Sequence, residues 1–302
     1  LPRPHRFIDL ALAVDVSPEH PIVISKFVDG AREVDVDCIV KDGDVVLHAV
    51  SEHVENAGVH SGDATLVMPP HTVSEENVRR MRVEAAKITK ALNISGPCNI
   101  QFLVKDDRLM VIECNVRAAR TLPYVSKTLG VDFIECATNI MTGKSMKTPP
   151  ELRLEGPILP KTFVSIKAPM FSFTRLRGAD PMTGVEMAST GEVACFGRNI
   201  HETFLKSLMS TTFKLPKKTI LISLQERLRN ERAVETARHF ISLGFTVYAT
   251  EATHKFYQEN GIQSTFVDWP TKHGDGPNPD GHPNAIDLIQ NKEIDLVLNI
   301  PN

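Results

Sequence analysis

Three oxygen-bearing side chains fall close together in this 302-residue chain, Gln101, Glu113 and Asn115, with Arg117 and Arg120 just behind them. A carboxylate with one or two amide oxygens is a typical protein share of a Mg²⁺ site, because that ion takes hard oxygen donors in octahedral array and keeps places for water and phosphate. Arginines beside it would grip phosphoryl oxygens with forked N–H donors. The same residues also read as the polar edge of a sheet with two surface arginines, and spacing alone leaves both readings open.

A second candidate is the stretch AGVHSGDAT, where Gly58 and Gly62 flank Val59, His60 and Ser61 after a strand. Such a turn lets backbone amides approach a ligand, while a single histidine like His60 is commonly a hydrogen-bonded structural residue. Neither G-x-x-x-x-G-K-S/T nor G-x-G-x-x-G occurs, so any nucleotide here needs its phosphates covered by another part of the protein. A third set lies near the end of the chain, where Thr250, Thr253, Trp269, Asn299 and Asn302 follow apolar runs. They read either as ordinary loop residues or as donors around a small ligand.

Elements must bring these groups together. PIVISKFV (residues 21–28), EVDVDCIVK and VVLHAVSEH read as strands, the last two flanking the hairpin signal Asp42-Gly43. Ser74 caps a helix whose buried face is Val78, Met81, Ala85, Ile88 and Leu92, ended by Gly96-Pro97. In NIQFLVKDDRLMVIECN, a three-residue loop of Asp106 to Arg108 places Ile100, Phe102, Val104, Met110 and Ile112 on one face. Gln101, Leu103, Val111, Glu113 and Asn115 then share the other. A two-residue loop would set Gln101 opposite Ile112 and mix polar with apolar groups on each face. Thr121 should cap the next helix, with Pro123 in its first turn and Gly130 past its end.

Residues 143–160 read as a surface connection and Lys214 to Lys218 as a second boundary. Beyond, TILISL, FTVYAT, STFVDW and IDLVLNI alternate with helical segments such as ERAVETARHFISLG, the signature of an open parallel sheet. Ligands of such sheets sit beyond the carboxyl ends of the strands, where Thr250, Trp269 and Asn299 fall. Thr253 is placed to cap a helix starting near His254, whose free amides favour an anionic group.

Composition sets the outer limits. Thirty-four Lys+Arg against 37 Asp+Glu give a net charge of -3, with no cation excess for nucleic acid. Five scattered cysteines suggest a reducing compartment and no zinc site. No run reaches the ~20 apolar residues of a membrane span. The chain opens at Leu1 and stops just after an apolar strand, so both ends read as cuts.

Five ordered blocks, SKFVDGAREVDVDCIV, SEHVENAGVHSGDAT, GPCNIQFLVK, VIECNVRAARTLPYVSKTLGVDF and MASTGEVACFG, resemble the second synthetase half of the carbamoyl-phosphate synthetase large chain. The resemblance runs from about Pro21 to Asn302, and Leu1 to Val14 fits poorly. It implies a partial α+β ATP-grasp domain followed by a small α/β open-sheet, methylglyoxal-synthase-like domain that is truncated. The expected divisions are 1–142 for the carboxy-terminal ATP-grasp lobe, 143–215 for a connecting and extension region, and 216–302 for the allosteric domain.

By that resemblance Lys26 and Val28 border adenine, Glu33 the ribose, and Gly58, Val59, His60 and Ser61 the phosphates. Gln101 and Glu113 ligate Mg²⁺ or Mn²⁺ beside Asn115, Arg117 and Arg120 steady the phosphoryl group, and K⁺ is a further implied ion. The family phosphorylates bicarbonate, adds ammonia and then phosphorylates carbamate, each with ATP. An open α/β pattern after the ATP-grasp part marks the carbamate-phosphorylating half. Thr250, Thr253, Trp269, Asn299 and Asn302 resemble the N-acetylglutamate pocket of ammonia-dependent synthetases of the mitochondrial matrix. A glutamine-dependent cytoplasmic form with a nucleotide effector, or an effector-binding module inactive alone, are the alternatives. The lobe that covers ATP is outside the sequence, so the isolated piece is expected not to turn over.

Overall fold

The computed structural model describes Glu19 and residues 26–173, 182–269 and 281–301, in two compact units, Leu1–Thr211 and Thr212–Asn302. In the first, seven antiparallel strands are ordered β5-β4-β1-β2-β3-β6-β7: β1 Arg32–Lys41, β2 Asp44–Asn56, β3 Leu66–Met68, β4 Gly96–Lys105, β5 Arg108–Asn115, β6 Val164–Met170 and β7 Gly191–Gly197. Asp42 (φ 50°) and Gly43 (φ 83°) turn β1 into β2, the left-handed pair that such a hairpin requires. Residues 26–28, expected as the end of a strand, are not in one, and residues 21–25 lie outside the described residues.

Helix α1 (Glu75–Ala91) starts at Ser74, whose hydroxyl accepts the Asn77 N–H, and buries Val78, Met81 and Ala85 against Val34, Val36, Cys38, Ile100 and Phe102. Leu92, expected in that face, is 56% exposed because the helix has already ended there. Asn93 turns left-handed, and Gly96-Pro97 open β4 instead of closing the helix. On the opposite side of the sheet, α2 (Leu122–Leu129) and α3 (Phe133–Met141) bury Leu122, Val125 and Phe133 against Ile39, Leu47 and Leu66. Thr121 is the N-cap residue of α2 but makes no side-chain cap bond.

The β4–β5 hairpin departs from the expected register. Lys105 pairs with Arg108 around a two-residue turn, Asp106 (φ 49°) and Asp107 (φ 57°), and the ladder continues to Phe102–Val111. Ile112 is then an extra residue, a β-bulge, after which Gln101 pairs with Glu113 and Asn99 with Asn115. The bulge restores at one end what the three-residue loop would have given. At the other end it moves Met110 opposite Leu103 and leaves Ile112 45% exposed, not in the core.

The stretch read as a surface connection has buried anchors. Leu152 is 3% exposed, its carbonyl oxygen lies 2.8 Å from His48 Nδ1, and Arg82 donates to the carbonyls of Gly156 and Pro157. Helix α4 (Ile200–Met209) packs on β6 and β7.

The second unit is a four-stranded parallel sheet, β10-β9-β8-β11, from β8 (Thr219–Leu224), β9 (Thr246–Thr250), β10 (Thr265–Val267) and β11 (Leu296–Ile300). Helices α5 (Glu231–Ser242), α6 (Glu251–Glu259) and α7 (Ala285–Gln290) accompany it. Ile220, Ile222, Val247, Ala249 and Tyr257 form one core cluster; Leu221, Val267 and Leu288 form another. Each of the four apolar runs read as strands contains one.

Candidate functional site

Strands β1, β4 and β5 set out the first site as rows across the sheet. Asp35 lies opposite Gln101 and Gln101 opposite Glu113; one step along, Asp37, Asn99 and Asn115 form the next row. Directly paired residues share a face, so the bulge is what puts the expected Gln101, Glu113 and Asn115 on one side. Asn115 Nδ2 donates to Glu113 Oε1 (2.7 Å), and Arg117 Nη2 donates to Asn115 Oδ1 (3.4 Å). A cleft of about 290 Å³ runs along Asp35, Asn99, Glu113, Asn115 and Arg117 and is lined also by His60, Ser61 and Arg120, whereas the buried Gln101 lies outside that lining.

The glycine turn forms the facing wall. His60 N–H donates to Gly184 O, and Gly62 N–H to His60 Nδ1 (3.0 Å), so two turn amides and the imidazole are used within the protein. Lys167, 1% exposed, donates to Ser61 O (3.1 Å), with Glu192 Oε2 3.8 Å from its ammonium. Burial pulls the Lys167 amine below its usual range, against the pull of Glu192 and Asp35. Gly58 sits at φ +114°, and a Cβ there would come within 3.0 Å of the Phe27 ring. That ring, with Lys26, Val28 and Met110, borders a separate hollow of about 320 Å³.

Beneath the cleft lies a charge cluster of which sequence reasoning named only Glu33, for the ribose. Glu33, Asp35, Asp37 and His53 are 4%, 0%, 1% and 1% exposed. Strict alternation in β1, with Val34, Val36 and Cys38 in the core, reads as a sheet whose acidic face meets water. Here that face is covered. Burial raises Glu33 and drives Asp37 up to about 7, helped by the neighbouring Asp35 charge, although Asn99 donates to Asp37 (3.0 Å). Burial works to lower His53, but Asp35, 3.3 Å away, together with Glu33 outweighs it and holds the imidazole above its usual value. One donor atom from each of Glu33, Asp35 and His53 falls within 4.8 Å of the others, and neither Asp35 oxygen has a hydrogen-bond partner among the described residues. With its ring nitrogens 4.0 Å from Glu33 and 3.3 Å from Asp35, His53 is placed as the counter-charge to both carboxylates.

In the second unit, Ser223, Thr250 and Asn299 stand at the carboxyl ends of adjacent strands, Ser223 paired with Asn299. Thr250 Oγ1 donates to Ser223 Oγ (3.0 Å) and is the N-cap residue of α6, which starts at Glu251, earlier than expected. Thr253 is therefore inside the helix; it is 0% exposed and its hydroxyl accepts the Leu224 N–H (2.9 Å). Trp269 is 42% exposed. Asn302 lies outside the described residues.

Residues 8–148 match the family model "Carbamoyl-phosphate synthase L chain, ATP binding domain", and residues 232–302 match "MGS-like domain". The chain belongs to the carbamoyl-phosphate synthase large-chain family. The expected fold class, a partial ATP-grasp domain followed by a methylglyoxal-synthase-like one, is thereby borne out. The family match begins at residue 8, so part of the segment that fitted poorly belongs to it.

Within that family, the mitochondrial ammonia carbamoyl-phosphate synthase of Mus musculus is 51% identical over 290 residues, 96% of this chain and 19% of the relative. Multifunctional protein CAD of Squalus acanthias is 46% identical over 96% of this chain and 13% of the relative. Multifunctional protein URA2 of Saccharomyces cerevisiae is 45% identical, with the same shares. The chain thus spans less than a fifth of the length of these carbamoyl-phosphate synthase relatives. No helix among the described residues is long and apolar enough to cross a membrane.

Proposed function

We propose that this chain is the carbamate-phosphorylating part of an ammonia-using carbamoyl-phosphate synthase, joined to the domain that receives its effector. The observation that carries this reading is Glu113, paired across the hairpin with Gln101 and standing with Asn115, Arg117 and Arg120 along one cleft that His60 and Ser61 face. One carboxylate and two amides fit Mg²⁺ or Mn²⁺ by donor chemistry. The ion supplies charge neutralisation on the nucleotide phosphates. Arg117 and Arg120 align the terminal phosphoryl group of ATP as it passes to a carbamate oxygen, giving ADP and carbamoyl phosphate. Lys26 and Val28 border adenine in the hollow beside Phe27. Glu33 borders the ribose hydroxyls, and K⁺ is a further ion of this reading.

Ammonia, bicarbonate and a second ATP enter through the rest of the synthetase, and the proposed setting is the mitochondrial matrix. N-acetylglutamate is the proposed activator, bound at the carboxyl ends of β8, β9 and β11. The higher identity to ammonia-dependent mitochondrial enzymes supports this choice. A second reading, the glutamine-dependent pyrimidine-pathway form in the cytoplasm with a nucleotide effector, is supported by the CAD and URA2 relatives, only a few per cent less similar. The full-length synthetase should make ATP from carbamoyl phosphate and ADP, and calorimetry should show N-acetylglutamate binding. Absence of that ATP synthesis would overturn the catalytic reading; tight binding of a uridine nucleotide instead of N-acetylglutamate would move the protein to the second.

A further inference from the structure

The segment from Gly184 to Ser189 is strapped across the glycine turn. Asp63, 2% exposed, accepts the Ala188 N–H on Oδ2 (2.8 Å) and the Ser189 N–H on Oδ1 (2.9 Å). Gly184 O accepts the His60 N–H (2.8 Å), and Ser189 Oγ donates to Gly62 O (3.2 Å). Burial alone would raise the Asp63 carboxyl, yet the donors from Ser189 and Ala188 hold it below its ordinary value. A buried carboxylate charged in this way ties both amides strongly.

Between these ties the strap presents Met187 to the cleft. Its sulfur is 2.8 Å from Arg120 Nη1, and a Cβ on Gly62 would come within 2.7 Å of it, so glycine is needed for the strap to lie this close. Among the described residues no carboxylate pairs with Arg120, and its side chain is exposed. The Met187 sulfur is the acceptor its guanidinium meets among the described residues.

We propose that Asp63 is a positioning residue for the phosphoryl site, acting through Met187 on Arg120. The proposal rests on the phosphoryl-transfer reading of that cleft. Met187 lines the cleft beside Arg120 and its strap is tied to His60 and Gly62, so the effect is read on the phosphoryl group that Arg120 holds, which carbamoyl phosphate carries in the assay below.

The test uses the full-length synthetase making ATP from carbamoyl phosphate and ADP. Met187→Ala and Asp63→Asn should raise the KM for carbamoyl phosphate about tenfold, the scale of one lost charge-assisted contact, with the KM for Mg-ADP within about twofold. Met187→Leu, which restores bulk against Arg120, should recover most of the effect. In the 302-residue chain, Asp63→Ala should speed hydrogen exchange of the Ala188 and Ser189 amides ~100-fold, while the β1 amides stay protected. An unchanged KM for carbamoyl phosphate in folded Met187→Ala, or Ala188 and Ser189 amides already fast in the wild type, would overturn the proposal. A wild-type synthetase that makes no ATP would instead sink the phosphoryl-transfer reading, and this inference with it.

Discussion

Gln101 stands directly opposite Glu113 although the turn joining their strands sets a register that would pair Gln101 with Ile112. The bulge at Ile112 reconciles the two. A tight two-residue turn keeps Val104 and Leu109 together beneath α1, and the extra residue flips the pattern in time to bring Glu113 to the polar face. Bulges commonly re-aim a side chain next to a site.

If that pair holds the metal, removing its charge should matter more than removing its shape. In the full-length synthetase Glu113→Gln and Gln101→Ala should nearly abolish ATP synthesis from carbamoyl phosphate. Glu113 is exposed, so thermal unfolding of Glu113→Gln should stay within about 0.5 kcal/mol of wild type. Near-normal rates at saturating Mg²⁺ in both variants would remove the pair from the metal site.

Much of this site was legible because its residues sit at the end of an amphipathic hairpin, where polar side chains break a run of Ile, Phe and Val. The acidic row of β1 was not. Glu33, Asp35 and Asp37 alternate with valines as a solvent face would, and only the covering turn, Lys167 and α2 side of the sheet, all distant in sequence, show that they are buried. Thr253 misled for a related reason: a threonine before a helical run reads as a cap, but the helix begins earlier and the hydroxyl ties two elements together.

His48 gives a pH dependence that does not require activity. Burial, with Arg82 nearby, lowers its pKa to about 4, and its Nδ1 lies 2.8 Å from Leu152 O. An unfolded histidine titrates near 6.5, so between about 6.5 and 4 the unfolded chain takes up a proton that the folded chain refuses. Stability is complete above that window and falls through it by roughly 3 kcal/mol. Urea unfolding should show it as a change of this size, across that window, in the stability difference between the 302-residue chain and its His48→Gln variant, a difference in which the opposing Asp37 contribution cancels.

Asp37 works in the other direction. Its folded value of about 7 exceeds the ~3.9 of an unfolded aspartate, so the contribution of this one group is most favourable at acid pH and is lost as pH rises from about 4 to 7. Asp37→Asn keeps an oxygen for the Asn99 amide and removes the buried charge. The variant should be more stable than wild type at pH 8 by about 2–4 kcal/mol, with the difference shrinking towards pH 4. Equal stability at pH 8 would show that burial does not raise Asp37 above the usual carboxylate range.

The effector reading divides two threonines that looked alike. Thr253 is buried and its hydroxyl accepts the Leu224 N–H at the end of β8, so Thr253→Ala leaves a buried amide unpaired and should cost ~1–3 kcal/mol of unfolding free energy whether or not effector is present. Thr250 stands partly open at the strand ends, joined to Ser223 and beside the row that ends in Asn299. Thr250→Ala and Asn299→Ala should therefore lower N-acetylglutamate affinity about five- to 150-fold, with little change in stability. Calorimetry and thermal unfolding on the same preparations of the full-length synthetase separate the two effects. If Thr253→Ala weakens binding while leaving stability untouched, its hydroxyl faces the ligand and the bond to Leu224 is secondary. If Thr250→Ala and Asn299→Ala bind N-acetylglutamate as tightly as wild type, the effector does not sit at the carboxyl ends of β8, β9 and β11.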